Sequence, residues 1–491
     1  MSRLAPRDVW LLFATCLLAL ALRLWKLDAG LWYDEVLTLT QFVRLPVSEI
    51  VTNYSTLNNH VFFSLQAHAA VALFGETAWA LRLPAVLLGV AAVPVLFALV
   101  RRIGAPLAWA HVSALLLALN YHHIWFSQNA RGYTGLIFWC LLATIAFVAG
   151  SRRNAIAPWI GFSLAAAAAL YTHLSAAFYI LSLALIYAGS VPFALRDPQG
   201  RTPGFASARP LIAIPLTLLL VLALYGPMIP QMMATFGEVA APEVAASVAE
   251  AVPVWRNPLW TLLEVLRSTP LPLPVVLVLL PVLLVVLSLG FAAVWRLDRC
   301  VALALPVSIV VTLALLVAAG MRLWPRYFLI DLPFLLVFAT AGTAGLAGWI
   351  GRGGRASRLL ATTGWTLGVI ASLLWASRNY VAPKQDFLGA VALVEASSQP
   401  GDIKASLGLA SLPLSSYFAP DWTVLATEED LEASLASGHP VWLVYAFEDH
   451  TLGTYPALMA RVEAEFEPVR TLRGTLGGGA VHVMRSHAGK D

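Results

Sequence analysis

Long apolar runs separated by shorter polar segments fill the first three quarters of the chain. A helix that crosses a membrane needs about 20 apolar residues, because each residue advances the helix by about 1.5 Å. The sequence contains eleven runs of about this length, at residues 8–25, 84–102, 107–126, 132–150, 155–172, 174–195, 210–227, 272–295, 301–320, 327–350 and 359–377. The pattern therefore predicts a polytopic α-helical membrane protein with about eleven transmembrane helices.

Two connections between these runs are much longer than the others, residues 26–83 and 228–271, and both fall on the same side of the membrane. The first contains an amphipathic stretch that ends at Arg82. The second contains the Ala-rich stretch Val244–Ala251 and a helix start at Pro258, so we predict short helices along the membrane interface. Long connections inside a compact domain are usually functional.

After Trp375 the pattern becomes that of a soluble domain. We therefore divide the chain into a transmembrane domain, residues 1–377, and a small α/β domain, residues 378–491. In the second domain, the spacing of apolar residues and a capping-box pattern predict helices at Phe387–Ala396, after Thr427 and at Tyr455–Phe466. Short apolar segments predict strands at Val441–Phe447 and Ala480–Met484.

Composition agrees with a membrane protein, since 59% of the residues are hydrophobic and 12% are charged, against roughly a quarter charged in soluble domains. The net charge is only +4, and the sequence has no cluster of basic residues interleaved with exposed aromatic residues. Because nucleic-acid-binding surfaces carry such clusters, we exclude a nucleic-acid partner. The cysteines, Cys16, Cys140 and Cys300, lie in or beside apolar runs and form neither a disulfide set nor a metal site.

Arginines occupy every second connection, and basic short loops face the cytoplasm. We therefore predict a plasma-membrane protein with a cytoplasmic N-terminus, a retained first helix, and both long loops and the C-terminal domain outside. The clusters are Arg3 and Arg7; Arg101 and Arg102; Arg152 and Arg153; Arg196, Arg201 and Arg209; Arg296 and Arg299; and Arg352, Arg355 and Arg358.

Two adjacent carboxylates, Asp34 and Glu35, follow the first apolar run by a few residues. An ionised group near hydrocarbon costs several kcal/mol unless it is paired or faces water, which makes this pair a functional candidate. The alternative is structural, with Asp34 capping the next helix and Glu35 in its first turn.

Other polar clusters share the outer side with Asp34. Each has a structural alternative, because aromatic residues form interfacial belts, arginines reach toward lipid phosphates and single histidines usually pack. The collection nevertheless combines a carboxylate pair with arginines at one membrane surface. The clusters are Asn58-Asn59-His60, Tyr121-His122-His123, Ser127–Tyr133, Tyr171-Thr172-His173, and Arg322 with Pro325-Arg326-Tyr327.

These residue types suit the transfer of a group from a lipid phosphate to an alcohol. Arginine forks bind phosphate oxygens, and a carboxylate near a hydroxyl is able to take its proton. Nucleotide-activated donors are generally absent outside the cytoplasm, so an activated sugar arrives there on a lipid. One carboxylate is enough, because a phosphate leaves without being protonated if arginines stabilise its charge.

Several motifs resemble the bacterial members of glycosyltransferase family 39. This family belongs to the GT-C class, with protein O-mannosyltransferases and the lipid A aminoarabinose transferase as relatives. The motifs are LWYDE (31–35), NNHVFFSLQAH (58–68), LFGETAWALRLPAVLLGVAAVPVLFALVRR (73–102), FSQNARGY (126–133), YTH (171–173) and PRYFLIDLP (325–333).

The resemblance implies a polyprenyl-phosphate sugar as donor and catalysis at the outer face, with Asp34 as base and Glu35 orienting the acceptor or the sugar. We expect an inverting reaction, because a single attack on the face opposite the phosphate inverts the anomeric carbon. It implies that the donor phosphate contacts Arg131 and Arg326, with Tyr133 and Tyr327 beside them. The expected acceptor or sugar pocket contains His60, Asn59, His173 and His123. This chain has Asn59-His60-Val61 where many relatives have His-Pro-Pro, and Trp32-Tyr33 before the carboxylates leaves a protein acceptor unsupported.

Two other classes fit the same pattern, a transporter or flippase of lipid-linked sugars without chemistry, and a structural subunit in which Asp34 only caps a helix. The expected partners are the lipid-linked donor, membrane lipids and an acceptor that is a lipid, a glycan or a protein. The proposed chemistry needs no cofactor. Asp34 and Glu35 with a nearby histidine are able to hold a divalent ion, but we predict no metal requirement.

Overall fold

The structure, a computed structural model, describes residues 4–56, 58–240, 258–267, 271–321 and 323–487. Each of the eleven predicted apolar runs is helical. The helices are α1 (Pro6–Leu24), α2 (Tyr33–Thr38), α3 (Val47–Ile50), α4 (Val61–Phe74), α5 (Ala78–Arg102), α6 (Leu107–Leu119), α7 (Tyr121–Ser127), α8 (Tyr133–Arg152), α9 (Ala157–Thr172), α10 (Ala176–Arg196), α11 (Ala213–Tyr225), α12 (Ile229–Ala240), α13 (Pro258–Arg267), α14 (Leu273–Leu297), α15 (Arg299–Ala318), α16 (Leu332–Ile350), α17 (Gly354–Ala376), α18 (Phe387–Ser397), α19 (Ser411–Pro413), α20 (Glu428–Leu435), α21 (Glu448–Thr454) and α22 (Pro456–Glu465).

Short 3₁₀ turns and two π turns complete the helical segments. The 3₁₀ turns are Pro203–Ala206, Arg209–Ile212, Gly226–Met228, Pro325–Asp331, Ser377–Tyr380 and Gly408–Ala410, and the π turns are Leu39–Val43 and Leu414–Phe418. Several of the 3₁₀ turns are continuous with helices: Arg209–Ile212 leads into α11, Gly226–Met228 joins α11 to α12, Pro325–Asp331 leads into α16, and Ser377–Tyr380 continues α17.

The protein is a multi-pass membrane protein with eight helical segments that are long and apolar enough to cross a bilayer among the described residues. The predicted count of eleven is not confirmed. α6 and α9 have only 13 and 16 residues, and α1 carries three charged residues, Arg7, Asp8 and Arg23. The eight segments are Ala78–Arg102, Tyr133–Arg152, Ala176–Arg196, Arg209–Thr235, Leu273–Leu297, Arg299–Ala318, Pro325–Ile350 and Gly354–Tyr380.

The main core lies among α5, α6, α8, α9, α10, α15 and α16 and is rich in alanine. Small residues also allow α14 and α16 to pack closely. A Cβ atom on Gly342 would lie 1.8 Å from the Val286 carbonyl oxygen, and one on Gly290 would lie 2.0 Å from the Phe338 carbonyl oxygen. Larger side chains at these two positions would force the helices apart.

The two long connections contain short helices, as the sequence predicts. α2, α3 and α4 belong to the first connection, and α12 and α13 to the second. The helix predicted to begin at Pro258 is confirmed as Pro258–Arg267. The predicted helix at Val244–Ala251 lies outside the described residues, as does Arg322.

Residues 387–487 form a five-stranded mixed sheet with helices on both faces, which we call the sheet domain. The strands are β1 (Ile403–Leu407), β2 (Thr423–Leu425), β3 (Val441–Ala446), β4 (Phe466–Leu472) and β5 (Val481–Ser486). Their order is β2-β1-β3-β5-β4, with β2, β1 and β3 parallel and β5 antiparallel to β3 and β4. The predicted helices and the strands β3 and β5 are confirmed, and Thr427 forms the predicted capping box with Asp430.

Candidate functional site

The predicted carboxylate pair lies in the first turn of α2, where both side chains are buried. Asp34 is 8% exposed and Glu35 is not exposed at all. Successive residues of a helix point about 100° apart, so the two carboxylates enter different surroundings. The structure therefore separates two groups that the sequence places together.

Glu35 is held in a closed ion pair. Arg82 donates to it through Nε at 2.7 Å and Nη2 at 2.6 Å, and the Ala130 backbone N–H donates to Oε1 at 2.8 Å. Burial raises the pKa of Glu35, but the Arg82 and Lys384 charges and these hydrogen bonds outweigh it and lower the pKa overall. Arg82 also donates to three backbone carbonyls, those of Leu27, Ala29 and Gly30. Glu35 thus fixes the first long connection to α5 and to the turn before α8.

Asp34 faces Arg131, in the turn between α7 and α8. Its Oδ2 atom lies 3.8 Å from Arg131 Nη2, which donates to Asn58 Oδ1 at 3.1 Å. The Arg131 side chain is only 2% exposed, and its Nε and Nη1 atoms have no hydrogen-bond partner among the described residues. Buried polar groups without partners are rare and call for an explanation such as an absent ligand.

His60 adds a second donor beside Arg131. Its Nδ1 atom accepts the Gly132 backbone N–H at 2.8 Å, so the proton of the neutral ring is on Nε2. That Nε2 atom lies 3.3 Å from Arg131 Nη2, and two donors do not bond to each other. A Cβ on Gly132 would lie 2.8 Å from Thr172 Cγ2 and 3.2 Å from His60 Nδ1, so a glycine is needed for this packing.

His173, at the end of α9, packs against His60 with ring centroids 4.4 Å apart. Its Nδ1 atom accepts from the Ser175 backbone N–H at 3.1 Å. Tyr133 contacts both imidazoles at ring distances of 5.2 and 5.1 Å. Burial and the charges of Arg131 and Arg326 lower the pKa of His60 well below its usual value, with His173 as a further cause, and lower that of His173 to about 3. Both rings are therefore neutral at physiological pH.

Arg326 completes the group from the 3₁₀ turn that leads into α16. Its guanidinium carbon lies 5.2 Å from the centroid of the Trp324 ring. Arg326 interacts electrostatically with Asp34, Tyr133 and Tyr327, and with both histidines. Asp34 is thus linked through Arg131 and Arg326 to residues of other segments, namely His60, His173, Tyr133 and Tyr327.

Three residues that the sequence assigned to the site have other contacts. Glu35 has the closed ion pair described above. Asn59 donates to the Asn53 carbonyl at 2.7 Å and accepts from Ser64 at 3.0 Å, so its amide is occupied within the loop. His123 is fully buried with its Nδ1 atom 2.7 Å from Arg23 Nη2.

Sequence reasoning missed the contacts of Asn58 and Arg82. Asn58 stands next to the predicted Asn59, and only the loop conformation decides which amide reaches Arg131. Arg82 belongs to the LRLP motif, which was a signal for the family but not for a partner of Glu35. No group of three or more His, Cys, Asp or Glu side chains in the described part of the chain is placed to hold a metal ion.

Comparisons with known proteins agree with this architecture. Residues 61–226 match the family described as dolichyl-phosphate-mannose-protein mannosyltransferase. No curated protein matches the chain.

Two solved structures are similar over nearly the whole chain. ArnT from Cupriavidus metallidurans, bound to undecaprenyl phosphate, is 15% identical over 99% of this chain and 100% of its own, with a TM-score of 0.52. The archaeal oligosaccharyltransferase AglB from Archaeoglobus fulgidus, in complex with an inhibitory peptide and a dolichol-phosphate, is 12% identical over 97% of this chain and 74% of its own, with a TM-score of 0.54. Residues 61–226 thus resemble that mannosyltransferase family, and the chain as a whole has the same fold as ArnT and AglB.

Proposed function

We propose that this protein transfers a sugar from a polyprenyl-phosphate donor to an acceptor hydroxyl at the extracytoplasmic face of the plasma membrane. The N-terminus lies in the cytoplasm and the sheet domain outside in this proposal, as the arginine clusters predict. The sugar is a hexose or a pentose, and the acceptor is a lipid, a glycan or a protein.

One observation carries the proposal, the unfilled hydrogen-bonding capacity of the buried Arg131 side chain beside Asp34. Its Nε and Nη1 atoms have no partner within the described residues, and the His60 Nε2–H lies 3.3 Å from its Nη2 atom. Converging donors suit an oxygen that accepts several hydrogen bonds and carries negative charge, which describes a phosphate. The cationic Arg326 strengthens this preference.

The proposed reaction exchanges one bond at the anomeric carbon for another and moves one proton from the acceptor hydroxyl to Asp34. Asp34 takes the proton of the acceptor hydroxyl while the hydroxyl oxygen attacks the anomeric carbon. The bond between that carbon and the phosphate oxygen breaks, and its electron pair leaves with polyprenyl phosphate. Arg131, Arg326 and His60 Nε2–H stabilise the charge of the leaving group. A single attack opposite the phosphate inverts the anomeric carbon.

The relatives support the class of donor. The ArnT structure contains undecaprenyl phosphate and the AglB structure contains a dolichol-phosphate. The matched family is described by a lipid phosphate sugar, dolichyl-phosphate-mannose. A polyprenyl phosphate is the part that these three descriptions share.

The test measures release of undecaprenyl phosphate from radiolabelled undecaprenyl-phosphate-linked mannose, glucose and aminoarabinose. Native membranes that contain the overproduced protein supply the acceptor. We expect release with at least one donor, and a loss of about 10²-fold or more in Asp34→Asn, as for other groups in general-base catalysis. Asp28→Asn is the matched control, because Asp28 is an exposed carboxylate of the same loop that only accepts the Trp79 backbone N–H at 3.2 Å.

Two outcomes contradict the proposal. Near-wild-type release by folded Asp34→Asn removes the assignment of the base. Passage of intact donor across sealed vesicles, with no release from any donor, would instead identify the transporter or flippase class.

A further inference from the structure

We propose that the sheet domain and the linker before it hold Asp34 in its working position through two residues, Phe447 of the domain and Gln385 of the linker, which contact the neighbouring Tyr33. This inference rests on the proposed function, because it assigns Asp34 as the base. It makes Phe447 and Gln385 positioning residues, since both act through Tyr33.

Phe447 follows β3 and points its ring at α2. The Phe447 and Tyr33 rings pack edge to face, with centroids 5.7 Å apart and an interplanar angle of 81°. Phe447 has a φ of +55°, a left-handed conformation that is strained for a bulky side chain. Strain of this kind is concentrated at functional sites, where the surroundings hold the residue in place. A glycine would adopt this turn without strain, but it would have no ring to place against Tyr33.

Gln385 makes the second contact and is 1% exposed. Its Oε1 atom accepts the Tyr33 backbone N–H at 3.1 Å, and its Nε2 atom donates to the Gly479 carbonyl at 3.2 Å. Tyr33 is the first residue of α2, and the first N–H groups of a helix have no partner within the helix. Gln385, which lies in the linker before the sheet domain, therefore caps α2. Through its second hydrogen bond it connects α2 to the turn before β5.

The membrane side of α2 is fixed separately. Glu35 is bonded to Arg82, and the Trp32 indole N–H donates to Asn129 Oδ1 at 3.1 Å. Asp34 thus lies on a helix of six residues that is held from the membrane domain through Glu35 and from the sheet domain through Tyr33. A shift of about 1 Å at a reacting group can reduce catalysis about 10²-fold, so loss of either anchor is expected to affect the reaction.

The first experiment does not depend on activity. Hydrogen–deuterium exchange of residues 30–40 is compared between wild-type protein and Phe447→Leu in detergent. We expect about tenfold faster exchange at α2 in the variant and unchanged exchange in α5, because opening would be local. Phe447→Tyr keeps the ring and should restore wild-type exchange. Tyr445→Leu is the matched control, because it removes a ring from β3 on the sheet face that packs against Leu458 and Val462, away from Tyr33.

The second experiment measures transfer with the labelled donor that the wild-type protein accepts. Phe447→Leu should lower kcat about tenfold, leave the KM for donor within about twofold, and be rescued by Phe447→Tyr. Because Phe447 acts through Tyr33, the double variant of Phe447→Leu with Tyr33→Leu should be no slower than the slower single variant.

Unchanged exchange at α2 in Phe447→Leu would overturn the inference whatever the activity. Equal losses in Phe447→Leu and Tyr445→Leu would also overturn it, since they would indicate general damage to the sheet domain. Failure of the proposed function would give a different result. Wild-type protein would then release no undecaprenyl phosphate from any donor, but Phe447→Leu would still increase hydrogen–deuterium exchange at α2.

Discussion

Replacing Glu35 with alanine should destabilise the protein strongly, because it leaves the Arg82 guanidinium buried without a countercharge. The Arg82 side chain is 2% exposed and that of Glu35 is 0% exposed. Glu35→Gln is a milder change, but its amide group would place N–H donors against those of Arg82. Alanine removes the interaction without introducing a new one.

The magnitude follows from the contacts that are lost. Breaking a buried ion pair by removing one partner costs about 3–5 kcal/mol. The Ala130 backbone N–H also loses its acceptor, for which the cost is about 1–3 kcal/mol. The three backbone carbonyls that accept from Arg82 keep their bonds, so the arginine stays in place and its unpaired charge persists. A total of at least about 3 kcal/mol is expected.

The assay is unfolding of purified protein in mixed micelles by titration with dodecyl sulfate. Glu49→Ala is the control, because Glu49 is an exposed carboxylate in the same loop, and it should change the unfolding free energy by less than about 0.5 kcal/mol. Combining Glu35→Leu with Arg82→Met removes both charges and should recover part of the loss.

The pH dependence of stability gives a second measurement. The pKa of Glu35 is lower in the folded protein than its ordinary value of 4.5, so its contribution to stability is complete above pH 4.5 and is lost as the pH falls through the folded pKa. Wild-type protein should therefore lose stability in acid faster than Glu35→Ala.

Equal stability of Glu35→Ala and Glu49→Ala would refute the structural role of Glu35. Intact stability with lost transfer would instead support the orienting role that the sequence predicted.

Three further predictions concern the site itself. Arg131→Met should weaken binding of undecaprenyl phosphate about 30-fold or more, measured by titration in nanodiscs, because a buried charged donor is lost. Gly132→Ala should destabilise the protein by about 1–3 kcal/mol in the same unfolding assay, since its Cβ would lie 2.9 Å from the Thr172 carbonyl oxygen, whereas Gly189→Ala, with nothing within 4 Å, should be neutral or stabilising. His173 has a pKa lowered to about 3, so wild-type stability should fall as the pH drops below 6.5; His173 alone contributes up to about 1.4 kcal/mol per unit to this fall, and His173→Asn should reduce the slope by that amount.

Hydropathy located the helices well, because the cost of exposing a polar backbone in a bilayer makes every long apolar run helical. It did not locate the break within residues 107–126. Asn120 ends α6 and caps α7 by accepting the His123 backbone N–H at 3.0 Å, while the residues of α7 are mostly aromatic or apolar and continue the run. Strands β1, β2 and β4 were missed. Strand β2 has only three residues and β4 is mostly exposed.

The sequence predicted several residues that lie together at the candidate site, but it did not predict their contacts. Few charged residues lie at the predicted outer membrane surface, so the candidate site residues are a few arginines and one carboxylate pair. For this reason the sequence alone was enough to select both Asp34 and Arg131, which lie close together in the structure. The sequence did not show that Glu35 points to Arg82 while its neighbour Asp34 points to Arg131. It also did not show that Asn58, and not its neighbour Asn59, accepts from Arg131. Arg23, the partner of His123, was hidden because a single arginine does not interrupt an apolar run. These choices depend on tertiary packing, which single-sequence patterns do not contain.

The charges around Asp34 lead to one further expectation, inhibition by the product. Among the described residues the site combines the guanidinium groups of Arg131 and Arg326 with the carboxylate of Asp34, while both histidines are neutral. An anion that enters relieves this excess of positive charge. Polyprenyl phosphate is a monoester and carries up to two negative charges, whereas the donor is a diester with one, so the product should bind more tightly than the donor. Added undecaprenyl phosphate should therefore inhibit transfer competitively with the donor, and Arg131→Met should raise its inhibition constant more than the KM for donor. Noncompetitive inhibition would mean that the product and the donor do not share the site at Arg131, and equal changes in the two constants would mean that Arg131 does not bind the product more tightly than the donor.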